Sequence, residues 1–401
     1  MKKFPELLCP AGDKEKFFTA ITYGADAVYL GGSELSLRAK TKGFSLQELP
    51  KIIKFAHQHK TKVYFCLNIL AQEKHLSQIQ RYLEALAQVK PDALIIADPG
   101  VISLAQKYAT NIPIHLSTQA NTSNSLSALF WQKQGIKRIN LARELNFKQI
   151  KEIQNKIKNS LEIEVFVHGA MCMAISGRCF LSSYLNQRSA NLGLCTHPCR
   201  FEYQYFLKEQ TRKENIFEVF ETNEYSKILA SEDLCLLKYL AWFVKNNIAS
   251  LKIEGRNKTI SYLAIVVNVY RTALDNLLAH KFDYNFYLKE LQNTFTRPVG
   301  TGFFLGKPKI LYTPYSKPKK TLAWIEQQKS FDKWKIKVKH RWETNKKIKI
   351  KLPGLQNIYL PSTEYMLENK VGEKVKIAHP GLDYYLRLNL PQVKPYLIIQ
   401  E

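Results

Sequence analysis

Val63-Tyr64-Phe65-Cys66-Leu67 is a short, β-rich run of apolar and aromatic residues, and it stops on the polar Asn68. A run this brief and continuous suits a strand buried on both faces. Helical spacing follows from His75 to Leu86. The same grammar repeats through roughly the first 280 residues. Strands are predicted at Glu6–Cys9, Ala27–Leu30, Val63–Leu67, Ala93–Ile96, Ile114–Leu116, Arg138–Leu141, Ile163–Val167 and Leu251–Ile253. Between them, Leu46–His59, His75–Leu86, Asn124–Gln134 and Phe147–Ile157 are predicted helices. Eight strands alternating with helices is the count of a (β/α)8 TIM-like barrel of the α/β class, although an open doubly wound sheet has a similar rhythm.

The strand ends give the barrel its meaning. They run into Pro10-Ala11-Gly12, Gly31-Gly32, Asn68, Asp98, Ser117-Thr118-Gln119, Arg143-Glu144, His168-Gly169 and Glu254-Gly255-Arg256. Any one of these is an ordinary turn or cap. Together they crowd the C-terminal mouth, where such barrels keep their chemistry.

After the seventh strand the rhythm breaks into a long insertion, about 170–230. Loops of that length in a compact domain are functional or disordered, and the cysteines and aromatics of this one favour function. Ser231 is expected to cap the following helix, which places Cys235 in a first helical turn where the dipole favours thiolate.

From Lys307 onward the period changes to two. Trp334–Lys339 and Lys347–Lys351 alternate cleanly, and Tyr385–Leu388 more weakly, with turns at Pro353-Gly354 and Pro380-Gly381. This predicts a small all-β domain, 307–401, after a barrel domain, 1–306. Its lysine face is either a solvated guard against edge pairing or a surface for RNA.

Composition narrows the functional classes. The 401 residues carry 59 Lys and Arg against 34 Asp and Glu, a net charge of +25. The tail from Lys307 holds 20 of those cations against 8 acids, so a quarter of the chain carries about half of the surplus. Such a field draws nucleic acid or an anionic membrane face. No apolar run reaches the ~20 residues of a membrane span, and the start does not read as a signal peptide. Seven cysteines without export fit a reducing cytoplasm.

Five of the cysteines, Cys172, Cys179, Cys195, Cys199 and Cys235, fall within one stretch. Thiols gathered in a reducing cell commonly hold metal. Only Cys195 and Cys199 have zinc-like spacing, and dispersed ligands from separate loops suit an iron–sulfur cluster at least as well. Redox or packing roles complete the alternatives, and Cys9 and Cys66 read as core.

The segment Glu164-Val165-Phe166-Val167-His168-Gly169-Ala170-Met171-Cys172, continuing through Gly177-Arg178-Cys179 to Ser182, resembles the signature of the collagenase-like peptidase family of unknown catalytic type, the U32 group. Glu6–Gly12, Gly24–Tyr29, Ser117–Gln119, Leu141–Glu144, Pro198–Arg200, Lys252–Arg256 and Gly302–Phe304 agree with it. The resemblance covers about residues 5–306 and is nearest to the tRNA 5-hydroxyuridine hydroxylase branch. It implies a four-cysteine iron–sulfur cluster, here on Cys172, Cys179, Cys195 and Cys235 with Cys199 competing for the fourth place. It also implies a link to prephenate and hydroxylation of the tRNA wobble uridine.

On that reading Asn68, Gln119, Arg143, Arg178 and Arg256 are candidate substrate-binding residues, the arginines as forks for carboxylate or phosphate. His168 and Glu164 are the candidate catalytic groups; core histidine and structural ion pair are their plain alternatives. tRNA is the expected partner. Peptidase action and non-catalytic RNA binding are the competing functions.

Overall fold

The computed structural model describes residues 4–32, 35, 43–158, 160–172, 174–176, 178–201, 205–208, 216–219, 232–306, 309–313 and 320–401. Ser231, and Met173 and Gly177 of the signature, lie outside the described residues.

Seven parallel strands open the chain: β1 (Glu6–Pro10), β2 (Ala27–Gly31), β3 (Lys62–Leu67), β4 (Ala93–Ile96), β5 (Ile114–Leu116), β6 (Arg138–Asn140) and β7 (Glu162–Ala170). The hairpin of β8 (Tyr205–Lys208) and β9 (Ile216–Val219) follows, then β10 (Asp233–Cys235) and β11 (Ser250–Ile253). β11 pairs in parallel with β1, Glu6 opposite Ser250, and with β7, Ser250 opposite Glu164. That second pairing closes an eight-stranded barrel, so the closed alternative holds and the open sheet does not. β2 and β4 are buried along their whole length, the burial that their apolar runs predicted.

Helices α1 (Lys14–Thr22), α2 (Leu49–Gln58), α3 (Leu76–Val89), α4 (Pro99–Tyr108), α5 (Ser125–Lys133) and α6 (Phe147–Ile157) return the chain between the first seven strands. Their starts are written in the sequence. Asp98 accepts hydrogen bonds from the N–H groups of Gly100 and Val101 with Pro99 in the first turn, and Asn146 forms a capping box with Gln149. Asp98 is therefore a helix cap.

The insertion carries α7 (Leu181–Asn186), and α8 (Leu240–Lys245), α9 (Ile260–Leu278) and α10 (Tyr284–Leu291) follow. α9 is buried on nearly every side, from Leu263 through Tyr270, because it lies between the barrel and the C-terminal sheet. Among the described residues no helix is long and apolar enough to cross a membrane.

One expectation fails here. Cys235 does not open a helix: it ends the short strand β10, antiparallel to β7 and opposite His168. Acidic residues ahead of an apolar pair suggested a helix start, but edge pairing on β7 decides the conformation, a tertiary override of a local signal.

The strands β12 (Val299–Gly300) and β13 (Ile310–Tyr312) extend the barrel sheet beyond β10. The tail then forms β14 (Thr321–Ser330), β15 (Lys333–Val338), β16 (Trp342–Glu343), β17 (Ile348–Lys351), β18 (Asn357–Leu360), β19 (Met366–Glu368), β20 (Ile377–Ala378), β21 (Asp383–Arg387) and β22 (Ile398–Gln400). Seven of these make one antiparallel sheet, and β16 pairs with β20 as a separate ribbon. Alternation places Trp334, Ile336 and Val338 inside and leaves the lysines between them on the outer face. The sheet docks on the barrel through buried polar contacts. The Tyr23 hydroxyl donates to the Lys351 carbonyl at 2.9 Å and accepts from the Ile398 N–H at 3.2 Å. Lys351 also meets Glu290 at 2.6 Å.

Candidate functional site

At the bottom of the barrel, buried charges are tied together. Arg138 spans Glu6 at 2.6 Å and Glu162 at 2.7 Å, and the Tyr64 hydroxyl donates to Glu6. Glu164, 2% exposed, stands in the same network, 2.8 Å from the Lys252 ammonium and 3.7 Å from Arg138. The geometry gives Glu164 its plain role: it balances buried cations, and it is absent from the cavity wall.

Above this layer a cavity of about 340 Å³ opens at the mouth. Its floor is made by inward residues of successive strands: Tyr29, Cys66, Ile95, Asn140, Phe166 and Lys252. The Lys252 ammonium lies 4.6 Å from the centre of the Tyr29 ring, and the Arg143 guanidinium 3.8 Å from that of Phe166. Arg178, Arg200, Arg256 and Lys258 lie on or beside the wall, with Glu254 as the wall's carboxylate among the described residues. The space is therefore strongly cationic and part aromatic.

Polar side chains complete the wall. Asn68 Nδ2 donates to Gln119 Oε1 at 3.1 Å, which fixes that amide and leaves Gln119 Nε2 buried without a hydrogen-bond partner. Asn140 Oδ1 is likewise buried and unsatisfied. Buried amide atoms left this way are costly and point to a ligand or water that completes them.

The insertion is laid across this mouth by specific bonds. Ser176 donates to Glu144 through both its N–H and its hydroxyl, each at 2.6 Å. Arg178 Nε donates to the Gln119 carbonyl at 2.6 Å, and Arg143 Nη1 to the Ala170 carbonyl at 2.9 Å. Arg143 and Arg178 thus hold the thiol segment in place, and of the two Arg143 also lines the cavity. Gly169 allows the approach, with φ +107° and a position where a Cβ would stand 2.5 Å from the Glu254 carbonyl oxygen.

Cys172, Cys179, Cys195 and Cys199 all line the cavity. Burial pushes the Cys199 thiol up; Arg200 opposes this, while Cys172, Cys195 and Cys179 each add to it, so Cys199 lies within electrostatic reach of the other three. Among the described residues no three ligand-type side chains converge tightly enough to grip a single ion. A lone zinc draws sulfurs to about 2.3 Å. Four thiols that line one space form the donor set an iron–sulfur cluster takes.

Cys235 and His168 belong elsewhere. Cys235 is fully buried, does not line the cavity, and lies 3.9 Å from the Tyr270 hydroxyl. Burial pushes its thiol up to about 11, the opposite of the helix-dipole expectation. His168 packs against Tyr262, Tyr270 and Phe295 with Nδ1 3.3 Å from the Tyr270 hydroxyl. Burial, with Lys258 nearby, holds its imidazole down at about 3, so it stays neutral and packs as a core histidine.

Sequence reasoning missed Asn140 and Lys252 as wall residues. Their signal was available: a polar or charged residue at the inward parity of a barrel strand breaks the apolar pattern.

Comparison with known proteins adds the lineage. A family model described as Peptidase family U32 matches residues 12–313. The chain is 38% identical over 309 residues to the tRNA hydroxylation protein P1 of Bacillus subtilis, covering 76% of this chain and 72% of that one. It is 34% identical to the tRNA hydroxylation protein P of Escherichia coli, covering 97% and 94%. The 23S rRNA 5-hydroxycytidine C2501 synthase of Escherichia coli is 32% identical over 78% of this chain and 47% of its own length.

Proposed function

The chain belongs to peptidase family U32, and from that premise we propose that it is an RNA-hydroxylating enzyme that converts the wobble uridine of tRNA to 5-hydroxyuridine. The observation that carries this reading is the cavity itself, where four thiols face a cationic, aromatic space at the barrel mouth. Relatives named for RNA hydroxylation, one of them matched along nearly the whole chain, support it.

Inserting oxygen into an unactivated pyrimidine needs redox chemistry that an iron–sulfur cluster supplies and side chains do not. Cys172, Cys179 and Cys195 would hold that cluster. The fourth place has two claimants: Cys199, which shares the cavity, and Cys235, which the family resemblance implies. Around it the chain's own groups bind and orient. Phe166 and Tyr29 offer faces to an unstacked base, and Gln119, fixed by Asn68, offers an amide edge. Arg143, Arg256 and Lys252 balance the charge of RNA phosphate or of a carboxylate co-ligand such as prephenate.

The family name attaches to proteolysis. The sequence has neither a His-Glu-x-x-His pair nor a Gly-x-Ser-x-Gly elbow. The Cys195 sulfur lies 4.0 Å from His197 Nδ1, a Cys–His approach made among the other thiols. Nucleoside mass spectrometry of bulk tRNA from a strain lacking the gene tests the proposal. Loss of 5-hydroxyuridine and its derivatives, restored by the wild-type gene, is the expected result. An unchanged profile, with peptide cleavage by the pure protein that a Cys195→Ala change abolishes, would transfer the function to proteolysis.

A further inference from the structure

The tail's positive charge is not spread evenly over its surface. On the β15–β21 face the exposed-side lysines are matched by acids. Lys333 meets Glu368 at 2.9 Å, Lys335 meets Glu326 at 2.9 Å and Asp383 at 3.4 Å, and Lys337 meets Glu15 of α1 at 2.9 Å. Arg387 pairs with Asp332 and Glu368, both at 2.8 Å. Four of the tail's eight carboxylates are used on this one face. The alternating lysines of β15 are therefore largely neutralised, and the surplus lies elsewhere.

Part of it lies on the ribbon of β16 and β20 and its flanks. Lys339, Arg341, Lys374, Lys376 and His379 are all exposed there. Arg341 pairs with Glu343 at 3.1 Å, the one ion pair of the ribbon among the described residues. The ribbon also has a defined position. The Lys339 N–H donates to the Leu322 carbonyl at 2.7 Å, and His340 Nδ1 lies 2.7 Å from the Thr321 carbonyl. Thr321 in turn meets the Ser261 hydroxyl, in the first turn of α9, a few residues after Lys258 on the cavity wall. Lys337, just ahead on β15, reaches Glu15 in the first turn of α1, which also starts at the mouth.

We propose that the β16–β20 ribbon is the phosphate-binding surface that holds an RNA substrate over the barrel mouth, with Arg341, Lys374 and Lys376 as its principal cations. This rests on the RNA-directed reading above and assigns its docking surface. Lys374 and Lys376, which make no ion pair among the described residues, add to the positive charge of the cavity on the mouth side, and polyanion binding to such a surface releases counterions and depends steeply on salt. The paired β15–β21 face offers less, because each lysine there must first leave a carboxylate.

The test measures binding of the full-length protein to unmodified tRNA transcript across a salt series. Arg341→Glu/Lys374→Glu/Lys376→Glu is compared with Lys133→Glu/Lys137→Glu/Lys156→Glu, an equal charge change on exposed residues at the far end of the barrel. The ribbon triple is expected to weaken binding by about tenfold or more near ~0.1 M salt and to flatten the log–log salt slope by about 2. The distal triple should stay within about twofold of wild type. Lys374→Gln/Lys376→Gln, which removes charge without reversing it, should flatten the slope by about 1. Equal losses from the two triples would overturn the assignment. So would unaltered tRNA binding combined with lost binding to phosphatidylserine vesicles, which would make the ribbon a membrane contact. Nucleoside analysis keeps the two readings apart: hydroxylated product from wild type with no ribbon effect defeats only the surface, whereas a ribbon effect with no product defeats only the proposed reaction.

Discussion

The Lys252 ammonium on the cavity floor is held 2.8 Å from the Glu164 carboxylate, and both side chains are almost wholly buried. A buried cation can face a ligand only if its counter-charge is kept behind it. Glu164, between Lys252 and Arg138, performs that service from the strand below the cavity. Glu164→Gln should therefore cost about 3–5 kcal/mol of stability, because it strands a buried charge. Denaturant unfolding measures this. A variant as stable as wild type but inactive would restore Glu164 as a catalytic group.

The thiols give the second prediction. Anaerobically purified protein should be brown, and Cys172→Ala should lose both the visible absorbance and the bound iron and sulfide. Cys199→Ala and Cys235→Ala, compared side by side, identify the fourth ligand, since the one that keeps full iron content is excluded. A colourless, zinc-loaded wild type would end the cluster reading.

His168 makes stability depend on pH. Its imidazole is held at about 3 when folded, against an ordinary value near 6.5. Between those values the unfolded chain binds a proton that the folded one refuses, so stability falls as pH is lowered through this window and is fully present above about 6.5. The contribution is on the order of 5 kcal/mol. His115, also pushed well down by burial, acts in the same direction. His168→Gln should flatten the acid side of the stability profile relative to wild type. An unchanged profile would show that the site is hydrated.

Docking of the C-terminal sheet gives a fourth expectation. Tyr23→Phe removes a hydroxyl that serves both the Lys351 carbonyl and the Ile398 N–H inside the interface. Leaving those groups unpaired should cost about 1–3 kcal/mol. A melt that separates into two transitions would show that the sheet depends on this contact to unfold together with the barrel. A variant with wild-type stability would mean that apolar packing, as between Phe18 and Tyr396, suffices.

The amino-acid order by itself determined the alternation of strands and helices, and the pairing of β11 with β7 closed it into a barrel. All eight strands were legible to within a few residues, because a run buried on both faces must be apolar and must end where the chain meets solvent. Helix starts such as Asn146 and sheet alternation such as Trp334-Lys335-Ile336 were legible for the same reason: caps and periods are set by neighbours along the chain. Tertiary structure alone decided what those elements do to one another. Cys199 and Cys235 look alike as sequence, yet barrel closure brings one to the cavity and buries the other beside Tyr270. Lys335 and Lys374 are both surface lysines, and only the fold supplies carboxylates to the first, among the described residues. Strand register and docking fix those distances, and they join residues too far apart in the chain for any local pattern to record.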